Sequence, residues 1–159
     1  MILQPDALER ARALSELASA LFRVHGALTT RGDDVVAPLG LTSARWQVLG
    51  TLALAGEALP VPAIARAMGL TRQAIQKQVD LLLHEGLVSA RPNPAHGRSP
   101  LFQLSGAGRA ALARAEQRWA LEAAFLSEAL SPAALKATTR LLDHLTDRLR
   151  AAPAEAGPA

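Results

Sequence analysis

The chain has 159 residues, half of them hydrophobic but only 3% aromatic, so its core must be built mainly from Leu, Ala and Val. That composition favours packed helices and argues against an all-β fold. With no cysteine, disulfides, thiolate metal sites and thiol-based sensing are excluded. The formal charge is +3, and it is unevenly placed: residues 61–109 hold 6 basic against 2 acidic side chains, while the rest holds 11 against 12. The positive field therefore belongs to the middle of the chain, where it suits a polyanion as well as a solvated basic face.

Met1-Ile2-Leu3-Gln4-Pro5-Asp6 lacks a basic n-region followed by an apolar core, and no window holds 18 charge-free apolar residues, so a cytoplasmic protein without a membrane partner is expected. From Ala7 to Leu28, Leu14, Leu17, Leu21, Val24 and Leu28 recur at spacings of 3 and 4, which predicts a long amphipathic helix. Thr30-Arg31-Gly32-Asp33-Asp34 should interrupt it, and Pro38-Leu39-Gly40 reads as a loop. Thr42 or Ser43 caps a second helix, Ala44 to Leu54, that buries Trp46, Leu49 and Leu52 or Ala53. Ala58 to Val61 suits a short edge strand, and Pro62 the first turn of a helix over Ala63 to Met68 that stops at Gly69.

Thr71 caps the next helix, Arg72 to His84, which ends at Gly86. Leu87 to Arg91 and Leu101 to Leu104 read as strands of a hairpin whose tip, Pro92 to Pro100, is too rich in proline for a regular ladder. Ser105 opens a long helix reaching about Leu130, and Ser131-Pro132 opens the last one, with Leu135, Leu142, Leu145 and Leu149 on one face. The tail from Ala151 to Ala159 is expected to be flexible.

Residues 42–104 thus have the order of a winged helix-turn-helix, so the fold class is mainly α with a small β-wing. Ala65, Gly69 and Ile75 supply the small contact, the turn and the aliphatic anchor that such a motif needs. In the second helix of the motif, a turn of 100° per residue puts Ile75, Val79, Leu82 and Leu83 on a core arc. Gln73, Gln76, Lys77, Asp80 and His84 fall on its neighbour. Glutamine pairs bidentately with adenine and Lys77 reaches guanine or phosphate, while Thr71 and Arg72 at the helix start suit phosphates. Arg98, between Gly97 and Ser99, can enter a narrow minor groove or pair within the wing, and His96 can add a phosphate contact.

Leu41 to Leu49, Ala63 to Ile75, Val79 to Val88 and the stretch from Arg98 through Leu104-Ser105-Gly106-Ala107-Gly108 resemble the MarR family of bacterial transcriptional regulators. The resemblance implies a homodimer whose terminal helices, 5–30 and 110–150, interlock while two winged lobes straddle a pseudo-palindromic DNA operator. It also implies that Thr71 to His84 is the recognition helix and Arg98 the minor-groove arginine. Asn93 departs from the family, whose wings commonly carry an aspartate there. Relatives are released from DNA by small aromatic or phenolic anions, and His25, Arg31, Arg45 and Trp46 are the residues here that can line such an effector cleft.

The apolar stripes at both ends argue separately for dimerisation, since one small lobe leaves them uncovered. His25, His84, His96 and His144 lack metal-site spacing, and no nucleophile motif, phosphate loop or carboxylate pair stands out, so neither a metal, a cofactor nor catalysis is expected. The expected function is a homodimeric repressor. The alternative is a winged-helix protein-interaction module that does not engage DNA.

Overall fold

The computed structural model describes residues 4–151, which divide into two compact units at Ala120/Leu121. Helix α1 (Pro5–Val36) opens the first unit and runs without a break through the polar stretch expected to end it. Tertiary packing overrides local propensity there. The Asp33 carboxylate accepts the Ser43 N–H at 2.6 Å, and the Ser43 hydroxyl donates to the Thr29 carbonyl at 3.2 Å. Gly32 lies where a Cβ would collide with that hydroxyl. The predicted breakers are thus the seam that docks α1 on the start of α2 (Ser43–Ala55).

Between these helices, Pro38-Leu39-Gly40 is more ordered than a loop: Ala37–Leu39 form a 3-10 turn. Thr42 caps α2 by accepting the Arg45 N–H at 3.4 Å. The helix buries Val48, Leu49 and, of the pair Leu52 or Ala53, Leu52, whereas Trp46 is half-buried, a correction to the expected core set.

Strand β1 is only Leu59–Pro60, and α3 (Val61–Met68) begins two residues earlier than predicted, with Pro62 in its first turn. Gly69 closes it at φ 66°, a left-handed conformation that costs an L-residue a Cβ clash. The bounds of α4 (Arg72–His84) are those expected, and the Thr71 hydroxyl accepts the Ala74 N–H at 3.2 Å. Ile75, Val79 and Leu82 are buried, but Leu83 is 41% exposed. It lies a further 100° round the helix from Leu82, past the edge of the buried arc.

Strands β2 (Val88–Arg91) and β3 (Leu101–Leu104) pair antiparallel, Val88 opposite Leu104 and Arg91 opposite Leu101, and β1 adds to the other edge of β3. Alternation turns Phe102 and Leu104 inward and Gln103 outward. Ser105 then ties the sheet to α5 (Gly106–Ser127): its hydroxyl donates to the Gly86 carbonyl at 2.7 Å and accepts the Gly108 N–H at 2.9 Å. Ala111, Leu112 and Ala115 of α5 join residues of α1 to α4, β2 and β3 in one apolar core.

In the second unit α5 ends at Ser127, short of the expected Leu130, and Ser131 caps α6 (Pro132–Ala151) by accepting the Ala134 N–H at 3.4 Å. No α6 residue is buried: Leu142 and Leu145 are half-buried, Leu135 and Leu149 exposed. Ala151 is helical, and the rest of the expected tail, 152–159, lies outside the described residues. No described helix is long and apolar enough to cross a membrane.

Candidate nucleic-acid interface

The side chains singled out for DNA contact lie on two neighbouring elements, α4 and the β2–β3 wing. Burial of Ile75, Val79 and Leu82 fixes the rotation of α4 and leaves Arg72, Gln73, Gln76, Lys77 and Asp80 exposed. Arg72, Gln73 and Gln76 meet Arg98, Ser99 and Pro100 of the wing around one open groove of about 330 Å³, floored by Val61, Pro62 and Phe102. Two guanidinium groups and two amides thus converge at the N-terminal end of α4, where the helix dipole also favours an anion. Lys77 and His96 do not line this groove, although both are exposed. Thr71 acts as the helix cap.

The wing tip is shaped by Asn93. Its amide nitrogen donates to the Ser99 carbonyl at 2.9 Å and its side-chain oxygen accepts the Ala95 N–H at 3.0 Å. Backbone bonds from His96 to Asn93, 3.1 Å, and from Ser99 to His96, 2.9 Å, complete the tip. A neutral amide thereby ties the loop on both sides of Arg98, and among the described residues Arg98 has no ion pair. Arg98 itself is exposed and lines the groove.

Away from this groove, the Arg45 guanidinium pairs with Glu85 and donates to the Gly40 carbonyl at 2.7 Å, joining the entry to α2 with the exit from α4. A separate cavity of about 290 Å³ is lined by His25, Leu28, Thr29, Ser43, Trp46, Gln47 and Trp119. The ring centroids of Trp46 and Trp119 are 5.6 Å apart at a tilt of 59°. Of the four expected effector residues, His25 and Trp46 come together there, whereas Arg31 and Arg45 do not line it. Trp119 was missed because it lies 73 positions from Trp46, beyond the reach of local periodicity. Among the described residues, no three His, Asp or Glu side chains are grouped to hold a metal ion.

Residues 39–99 match the model of the MarR family. The chain is also 37% identical over 138 residues to the uncharacterized protein Rv2011c of Mycobacterium tuberculosis, covering 87% of this chain and 95% of that one. The chain belongs to the MarR family. As a member, it is similar to the transcriptional repressor CouR bound to a 23-mer DNA duplex, with 31% identity, a TM-score of 0.73, and coverage of 84% and 94% of the two chains. A CouR from Rhodococcus jostii RHA1, solved bound to p-coumaroyl-CoA, is matched at 22% identity and TM-score 0.72 over 81% and 90% of the chains. A mutant MarR of E. coli in complex with operator DNA shares the fold at 20% identity and TM-score 0.73, over 84% and 95%.

Proposed function

We propose that this MarR-family chain is a sequence-specific DNA-binding regulator that works as a homodimeric repressor on a pseudo-palindromic operator. The observation that carries the reading is the convergence of Arg72, Gln73, Gln76 and Arg98 on one groove. Base-pairing amides and phosphate-seeking cations side by side are what duplex reading requires. In this reading Gln73, Gln76 and Lys77 meet base edges, Thr71, Arg72 and His96 the phosphates, and Arg98 the minor groove.

The dimer reading is supported by apolar surface that the single chain leaves open. Leu14, Val24 and Leu28 on the predicted seam of α1 are 47%, 52% and 47% exposed, and Leu135 and Leu149 of α6 are 43% and 69% exposed. A second copy covers both stripes in a two-fold arrangement and sets the distance between reading heads. A small aromatic anion is the proposed effector. It would stack on Trp46 and Trp119 and hydrogen-bond to His25, in a cavity near the lower end of the roughly 300–1,000 Å³ usual for ligand sites.

Selection of bound duplexes from a random pool tests the core of this reading. A two-fold symmetric motif with half-sites about one helical turn apart is expected. Affinity for the selected duplex should fall steeply as salt rises, because phosphate contacts release counterions. No enriched motif, or an affinity that salt does not change, would favour the protein-interaction module instead.

A further inference from the structure

On the exposed face of α4, the amide nitrogen of Gln76 donates to the Asp80 carboxylate at 2.7 Å. A carboxylate on a DNA-reading face is at first sight a liability, since it repels phosphates. Its contact with Gln76 gives it a use. An ionised carboxylate only accepts hydrogen bonds, so it holds the amide with the nitrogen toward Asp80 and the oxygen away. The reverse orientation would set the amide oxygen against the carboxylate and forfeit a charge-assisted bond.

The consequence concerns which base edge fits. An unrestrained glutamine can turn its amide and offer either a donor or an acceptor to a given spot in the major groove. With the nitrogen committed, the free Oε1 accepts and one N–H remains to donate. Adenine supplies the complement, an N6 amine and an N7 acceptor, and cytosine supplies an N4 amine that Oε1 or the unused carboxylate lone pairs can accept. Guanine O6 and thymine O4 set a carbonyl oxygen against Oε1, so each can take only the one remaining N–H and forfeits the second bond. Gln76 also lines the groove shared with Arg72, Gln73 and Arg98, so this amide stands where the duplex is proposed to enter.

We propose that Gln76 and Asp80 form one specificity-determining unit that selects an amine-bearing base, adenine first, at one position of each half-site and rejects guanine. Asp80 is the positioning residue and acts through Gln76. The inference rests on the DNA-binding reading above and deepens it.

The test compares wild-type protein with Asp80→Asn and Asp80→Ala by selection from a random duplex pool, followed by titration against the wild-type site and its single-base variants. Wild-type protein should prefer adenine over guanine at one half-site position by roughly tenfold, the discrimination of a bidentate pair. Both variants should bind the original site at least as tightly, having lost a negative charge, while that preference collapses toward parity and the other positions stay as they were. A folding defect would instead weaken all positions together, and thermal melts would reveal it. If both variants keep the wild-type preference, or if no position favours an amine-bearing base, the Gln76–Asp80 unit is refuted while DNA reading stands. If wild-type protein enriches no motif at all, the parent reading fails and takes this inference with it.

Discussion

At the scale of single residues, the groove between α4 and the wing separates two kinds of arginine. Arg98 sits at a loop tip without a counter-ion among the described residues, whereas Arg45 is spent on Glu85 and the Gly40 carbonyl. Arg98→Ala should therefore weaken operator binding by about 1–3 kcal/mol, the cost of a lost base contact, while the dimer and the melting temperature stay unchanged. Fluorescence anisotropy and sedimentation check this together, and unaltered affinity removes the wing from the mechanism. Arg72→Ala has a different signature. Losing one phosphate contact should lower the magnitude of the slope of log affinity against log salt by about one, for specific and random duplexes alike. Gly108 carries a stability prediction, since a Cβ there would run into the Leu87 backbone carbonyl, which also accepts the Ser105 N–H at 3.1 Å. Gly108→Ala should cost about 1–3 kcal/mol in a urea melt, the usual penalty of overpacking.

Among elements, α4 was the most legible in the sequence and α1 the least. The bounds of α4 follow from Thr71 and Gly86, local signals acting over a single turn. In α1 the same kind of local signal misled: Gly32, Asp33 and Asp34 look like breakers, but the first two are used by Ser43, eleven and ten positions away. Capping and breaker signals act over a turn or two, too short a span to register that partner. The wing lies between these extremes. Its strands follow from alternation and its proline-rich tip from composition, but the role of Asn93 emerges only once Ala95 and Ser99 fold back around it. Asn93→Ala should therefore loosen the tip and reduce operator affinity without changing the urea midpoint of the lobe. A variant that binds as tightly as wild type would show that Pro92, Pro94 and Pro100 hold the tip by themselves.

For the whole molecule, the apolar stripe of α1 and the α6 helix without a buried residue matter most. Their leucines recur at helical spacing, so the sequence already marks them as faces in need of cover. Leu14→Glu with Val24→Glu should shift the protein from dimer to monomer in sedimentation at micromolar concentration. It should also lower affinity for a two-half-site duplex far more than for a single half-site, and a double variant that stays dimeric would place the interface elsewhere. The sequence by itself determined the succession of elements, the caps of α4, the basic middle of the chain and the polar face of α4 on which the proposed reading residues lie, because each rests on composition or on contacts within a turn or two. Tertiary structure decided that α1 runs on to Val36, that Trp119 joins Trp46 and His25 at one cavity, and that Arg98 shares a groove with Arg72, Gln73 and Gln76. Those outcomes depend on hydrogen bonds and packing between residues far apart in the chain, and such contacts exist only after the core has closed.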